Sequence, residues 1–268
     1  MLLKEVDDLI LENINFSYKK RLSTHTILKN FNYVIKKGKF TSIIGPSGSG
    51  KTSLLKLISG LNQCESGQIK FENKSTTDLI KHVTLVQQNM SLMPWLNVFQ
   101  NIHLGNLNKK KNCVDKLIQD IGLDGFAEHY PYQLSGGLVQ RTVIARAILF
   151  QPRLLLLDEP FAALDNLSRE IISTELVSLI KKKSMTVIMV THSVEEAALL
   201  SDEVLVTGIA PISVIKKFVP PKNSRDLSWQ KIGLRKSLQN KDFQDYITLI
   251  RDTSYKVLKR KLSFEKQK

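Results

Sequence analysis

Two cysteines are all that 268 residues contain, Cys64 and Cys113, far apart and in no CxxC pattern. A disulfide framework is therefore not expected, and two free thiols in a reducing compartment are. Nor is there a run of about 18 apolar residues, which excludes a membrane-spanning helix of ordinary length. The opening stretch, Met1 to Glu12, alternates charge with Leu and Ile and lacks the basic-then-apolar order of a secretory signal. Cytosolic residence is the default expectation. There is no repeat of 20 to 50 residues and no low-complexity tract, which argues against solenoids and disordered linkers.

What is present suits one large folded domain with a small appendage: 42% of residues are hydrophobic. The formal charge is +14, and much of the excess lies after Ile209. A solvated surface, acidic lipid headgroups or nucleic acid would each accommodate that sign, so charge does not choose the partner.

Patterning predicts strands at Leu11–Phe16 and Phe31–Ile35, a turn at Lys37-Gly38, and a short apolar run, Phe40–Ile44, ending in a glycine-rich loop. A helix follows from Lys51 to Ser59. Ile69–Glu72 and Val83–Val86 read as strands, and residues 89 to 149 as helices and loops, with helices at Asn112–Ile121 and Leu138–Leu149. Leu154–Leu157 is uniformly apolar, as a strand buried on both faces requires. Leu167–Lys182 reads as a helix, Thr186–Val190 as a strand and Val194–Leu200 as a helix. Strands alternating with helices imply a parallel α/β sheet. Pro220-Pro221 marks a boundary. Beyond it Leu238, Phe243, Tyr246, Ile247, Ile250, Val257 and Leu258 recur at helical spacing among Lys241, Arg251, Lys256, Lys259 and Arg260. That is a basic amphipathic helix or pair of helices, suited to packing onto the main domain or to a membrane surface or partner.

Gly45-Pro46-Ser47-Gly48-Ser49-Gly50-Lys51-Thr52, with Ser53 next, matches GxxxxGK[ST] between a strand and a helix. Glycines let the backbone curl so that several N–H groups converge, and the helix N-terminus adds a positive dipole end. Lys51 is placed for the β- and γ-phosphates and the Thr52 hydroxyl for Mg²⁺. Leu154-Leu155-Leu156-Leu157-Asp158-Glu159 puts two carboxylates at the carboxyl end of a buried strand, where parallel sheets bind ligands. Asp158 can hold Mg²⁺ through its water shell, and Glu159 can take a proton from an attacking water.

Leu134-Ser135-Gly136-Gly137-Leu138-Val139-Gln140-Arg141 resembles the LSGGQ signature of ABC ATPases in its longer form, LSGGxxQR. The fifth position, Leu138, departs from the common Gln or Met; the anion-binding Ser135, Gly136 and Gly137 remain. Further matches follow in family order over residues 9 to 208. Tyr18 falls where the family stacks an aromatic on adenine. Gln88, beside Gln87 and assigned by its spacing to Pro94, resembles the glutamine that touches Mg²⁺ and senses the membrane partner. Ala163-Leu164-Asp165 resembles the loop lying across the dimer interface. His192 after Thr191 looks like the histidine that binds the γ-phosphate and orients Glu159 and water.

The resemblance implies a P-loop NTPase of the ABC ATPase type over residues 1–219. It would have a RecA-like core, an antiparallel β subdomain and a helical signature subdomain at about 89–152. Residues 220–268, which the resemblance does not reach, are expected to form a basic amphipathic helical extension; for the rest of the chain the resemblance carries further expectations. It implies ATP and Mg²⁺ as ligands, with Lys51, Glu159 and His192 catalytic. A second copy would close its signature over the nucleotide. A separate membrane permease, with a solute-binding protein reached through it, would be the partner, and the chain would sit on the inner face of the cell membrane. The run Leu92-Met93-Pro94-Trp95-Leu96-Asn97-Val98 with Asn101 looks like the nitrate, sulfonate and taurine importer branch. The alternative, a soluble ABC protein acting on nucleic acid or the ribosome, fits the basic tail. It lacks the second phosphate loop or long coiled coil such proteins carry, and no nucleic acid partner is expected. A subunit that binds ATP and only regulates is disfavoured by the presence of both Glu159 and His192.

Overall fold

A computed structural model describes residues 7–20, 23–72, 74–75, 80–88, 92–162, 164, 169, 172–173, 179–180, 185–221 and 239–265. Two sheets organise them. The first is antiparallel, in the order β2-β1-β4-β5: β1 Leu9–Lys20, β2 Ser23–Ile35, β4 Ser66–Phe71 and β5 Lys74–Ser75. The second has six strands in the order β10-β9-β3-β8-β7-β6. These are β10 Val214–Phe218, β9 Glu203–Thr207, β3 Phe40–Ile44, β8 Thr186–Val190, β7 Leu154–Asp158 and β6 Val83–Val86. Strands β9, β3, β8, β7 and β6 are parallel, and β10 closes one edge antiparallel.

Strands β3, β7, β8 and β9 are buried at every position. Successive side chains point to opposite faces, so each strand feeds two cores. Leu155, Leu157, Val187, Met189, Val204 and Val206 join the core shared with the helical region. Leu154, Leu156, Ile188, Val190 and Leu205 join the core beneath the antiparallel sheet, with Leu9, Leu11, Phe71 and the apolar face of helix α1 (Lys51–Ile58). This layering fixes the carboxyl ends of β3, β7 and β8 side by side.

The hairpin of β1 and β2 is longer than the sequence predicts. Residues 23–30 are strand although they look polar, because they are largely exposed and so carry no apolar alternation to read. Strand β9 also escapes the pattern reading. Its Glu203 is buried but satisfied, accepting from the Thr41 hydroxyl at 3.1 Å and pairing with Lys217.

The helical region contains α2 (Val98–His103), α3 (Lys111–Asp120) and α4 (Gly136–Leu149). Asn97 and Gln100 cap α2 reciprocally, which sets its start. Asn101 is fully buried; its amide donates to the carbonyls of Met93, Leu96 and Asn97, and its carbonyl accepts from Met93 N–H. That one side chain pins the turn that presents Trp95, 69% exposed. The predicted helix Leu167–Lys182 falls mostly outside the described residues; Arg169, Ile172, Ser173, Leu179 and Ile180, which are described, are helical.

Helix α5 (Val194–Leu200) follows β8, and α6 (Lys241–Glu265) ends the described chain. Phe243, Tyr246, Ile247, Ile250 and Val257 of α6 are buried in the same core as Ala197, Ala198, Val204 and Val206. The extension is thus packed against α5 and β9 by one face; Leu238 lies outside the described residues.

Candidate nucleotide site

The loop from β3 to α1 turns on two glycines that no other residue could replace without movement. A Cβ on Gly45 would lie 2.3 Å from the Thr207 hydroxyl and 2.9 Å from the Thr207 carbonyl oxygen. Gly50, the N-cap of α1, has φ +103°, and a Cβ there would meet Ile27 at 2.5 Å. The curl they permit wraps Lys51. Its ammonium donates to the carbonyls of Gly45 and Pro46, each at 2.8 Å, and to Ser49 Oγ at 3.4 Å, and only 5% of the residue is exposed. Ser47 and Gly48 at the tip are exposed, with Ser49 buried beneath them.

The strand β7 delivers the carboxylates. Asp158 is its last residue and accepts from the Thr52 hydroxyl at 3.2 Å. Burial pushes its carboxyl up from the ordinary value; Glu159 beside it adds to this, while Thr52 and Lys51 oppose it. Glu159 follows in the left-handed region, φ 49°, a conformation costing a non-glycine residue about 1–3 kcal/mol. Its N–H is held by the Val190 carbonyl at 2.8 Å, so the neighbouring strand enforces the bend. The bend aims the Glu159 carboxylate at two partners. Oε1 lies 2.7 Å from Nε2 of His192, and Oε2 accepts from the Gln88 amide at 3.3 Å. Gln88, ending the segment after β6, and His192, following β8, thus converge on one acid.

Tyr18 stands near the end of β1, paired across the hairpin with His25. Its hydroxyl is 3.2 Å from Ser53 Oγ and accepts from Asn62 at 3.3 Å, and its ring meets Phe16 edge-on. One open cleft of about 430 Å³ connects these groups. It is lined by Tyr18, His25, Ile27, Ser47, Gly48, Gly50, Lys51, Thr52, Ser53, Glu159 and His192. An aromatic wall at one end and a phosphate nest at the other fit a nucleoside triphosphate. Thr52 and Asp158 bring their oxygens together, and Gln88 reaches Glu159 next to them. Among the described residues no three His, Cys, Asp or Glu cluster as a self-sufficient metal cage. That donor set suits Mg²⁺ shared with phosphates and water, and a cation would relieve the buried Asp158 carboxyl beside Glu159.

The signature stands apart. Ser135 caps α4, its hydroxyl accepting from Leu138 N–H, and both it and Gly136 are exposed. Arg141 donates to the Ile121 carbonyl at 2.7 Å and ties α4 to the end of α3. Neither Ser135, Gly136 nor Gly137 lines the cleft that holds Lys51. Asp165 and Ala163 lie outside the described residues, whereas Leu164 is buried.

Sequence reasoning passed over one link. Arg169 donates to the Leu164 carbonyl at 2.8 Å and lies 3.4 Å from Glu196, which accepts from the Thr191 hydroxyl at 2.6 Å. Burial raises the Glu196 carboxyl, with Thr191 and Arg169 pulling against it. The loop at Leu164 and the loop at His192 are therefore braced to each other. The signal available was weak: an Arg and a Glu at unremarkable positions on two helices.

The chain is similar to known proteins in sequence and in fold. The family described as ABC transporter matches residues 28–162. An aliphatic sulfonates import ATP-binding protein, SsuB, of Bacillus cereus is 36% identical over 240 residues, covering 87% of this chain and 95% of that protein. The nitrate import ATP-binding protein NrtC of Synechococcus elongatus is 41% identical over 196 residues, 70% of this chain but 30% of that longer protein. Among solved structures, the dimeric post-hydrolysis state of the ATP-binding cassette MJ0796 with ADP and Pi aligns at a TM-score of 0.70 and 30% identity. It is covered over 98% of its length by 79% of this chain. With its phosphate loop, acidic strand end and signature helix in one α/β frame, the chain belongs to the ABC transporter family as an ATP-hydrolysing, transport-coupled ATPase.

Proposed function

We propose that this chain powers uptake of a small anionic solute, of the sulfonate or nitrate kind, as the peripheral ATPase beneath a separate membrane permease. The observation that carries the reading is the division of labour within one chain. The cleft at Lys51 has catalytic groups but none of Ser135, Gly136 and Gly137 lines it, and the start of the signature helix, at Ser135 and Gly136, is exposed. A second copy supplies each deficit.

In the closed pair, Tyr18 stacks on the base and the β3–α1 loop grips the phosphates. Lys51 exchanges the loop carbonyls for phosphate oxygens. Thr52 and Asp158, with Gln88, would hold Mg²⁺, which supplies charge neutralisation to the phosphates when bound. Glu159, held by His192 and Gln88, takes the proton of the attacking water, while His192 contacts the γ-phosphate. The signature loop of the partner subunit closes over that phosphate until it is lost.

Gln88 touches Glu159 at one end of its segment, and Trp95 and Met93 are exposed at the other, on the turn that Asn101 pins. That exposed turn is the surface we assign to the permease, which a solute-binding protein would serve from the far side. No helix among the described residues is long and apolar enough to cross a membrane, in keeping with a peripheral subunit at the inner face of the cell membrane.

The test is Glu159→Gln in Mg-ATP. It should sediment as a dimer, with turnover down by roughly 10²–10⁴-fold. A monomer at every ATP concentration, or unchanged turnover, would refute the shared-site reading.

A further inference from the structure

Helix α6 has more apolar surface than the main domain covers. Its docked face, centred on Phe243, Ile247 and Ile250, is almost fully buried. A second stripe, Tyr255, Leu258 and Leu262, recurs at three- and four-residue spacing on one flank and is 64%, 42% and 51% exposed. This flank overhangs the phosphate loop. With Arg251, which pairs with Glu195, Tyr255 and Leu258 form one wall of a cleft of about 350 Å³. Gly45, Pro46, Ser47 and His192 form the facing wall.

Ser47 and His192 therefore border two clefts, the nucleotide cleft and this one. Whatever covers the stripe lies against the residues over which a second copy closes. A flat bilayer could not enter this concave corner while the nucleotide site was being capped. By helical position Lys256 and Arg260 lie away from the apolar flank and Lys259, four residues after Tyr255, borders it, as the basic rim of a protein contact would have them.

We infer that the Tyr255–Leu258–Leu262 flank of α6 is an added part of the contact between two copies, made when ATP closes the pair. The inference rests on the shared-site reading above and extends it. The tail would then report closure directly, because α6 is packed on α5, the helix that follows the His192 loop.

The experiment uses the full chain in the Glu159→Gln background, with Cys64 and Cys113 changed to serine. Leu258→Glu combined with Leu262→Glu should weaken ATP-dependent dimerisation by roughly tenfold or more, measured by sedimentation. Fluorescent-nucleotide affinity of the monomer should stay within about twofold, which also certifies folding. Separately, the thiol of Leu258→Cys should lose maleimide reactivity on adding Mg-ATP, and the loss should grow with protein concentration.

Equal dimerisation by the charged variant, or a thiol that stays reactive in the dimer, would overturn the inference while leaving the shared site intact. Protection independent of protein concentration would overturn it in favour of a cover from the same chain. Protection by anionic vesicles without nucleotide would overturn it in favour of a lipid surface. Should the Glu159→Gln parent itself fail to dimerise, the shared-site reading falls first, and this one with it.

Discussion

Two helices in this chain open on small residues and serve, on our reading, the same phosphate group, yet they are built to opposite specifications. The loop before α1 is enclosed. Gly45 and Gly50 lie against Thr207 and Ile27, and Lys51 is folded back onto loop carbonyls. The loop before α4 is open, with Ser135 and Gly136 exposed and a hydroxyl cap as its main local bond. The first is a preformed half-site whose cost of organisation was met on folding. The second is a surface whose task begins when another molecule arrives. On the reading proposed above, a chain with one of each is complete only in pairs.

The sharpest way to break that contrast is charge removal at the enclosed loop. Lys51→Ala should weaken nucleotide binding by at least about a hundredfold and abolish measurable turnover, since a charge-assisted contact to phosphate is lost. Unchanged affinity in a fluorescent-nucleotide titration would refute the phosphate-loop assignment. The open loop should behave differently. Gly136→Asp places a carboxylate where a phosphate is to be gripped. Turnover should fall roughly a hundredfold, while nucleotide affinity of the single chain stays within about twofold. Equal loss of both would mean that the signature serves its own chain's site.

Stability separates the loops next. Gly50→Ala should cost about 1–3 kcal/mol in chemical denaturation because of its left-handed φ and its contact with Ile27. Gly136→Ala, on an exposed first helical turn, should move stability by less than about 0.5 kcal/mol. A structural carboxylate can be set against the catalytic ones in the same way. Glu72 is drawn towards ionisation against a burial penalty by Lys37 and Arg153, so its folded pKa lies below the unfolded 4.5. A depressed carboxyl contributes stability that is present above the unfolded value and lost as pH falls through the folded one. Glu72→Gln should therefore remove about 1 kcal/mol near neutral pH and flatten the acid limb of the stability profile, as followed by thermal melts. A steeper acid limb in the variant would reverse the assignment. Asp158, whose carboxyl burial raises, has the opposite sign: its apo contribution grows less favourable as pH rises.

Much of the site was legible before any coordinates. The phosphate loop, Asp158, Glu159 and the signature are contiguous in sequence, and each depends on local chemistry of small residues at a helix start or acids at a strand end. The buried strands were legible too, because β7 and β8 are apolar at four of five positions and β3 at three of five. What stayed hidden was whatever owes its character to a distant neighbour. Residues 23–30 are strand because β1 lies beside them. Arg169 and Glu196 acquire a role only where two loops are brought together.

The sequence alone determined that this chain carries two small-residue loops, each opening a helix, because each is a short run of residues whose backbone freedom and charge are local properties. Tertiary structure decided that Gln88 and His192 meet on Glu159, that Asn101 pins the turn bearing Trp95, and that α6 lies beside the phosphate loop with one apolar flank uncovered. Those facts depend on which strands are neighbours in the sheet, and long-range pairing is set by the packing of the whole core rather than by any window of the chain.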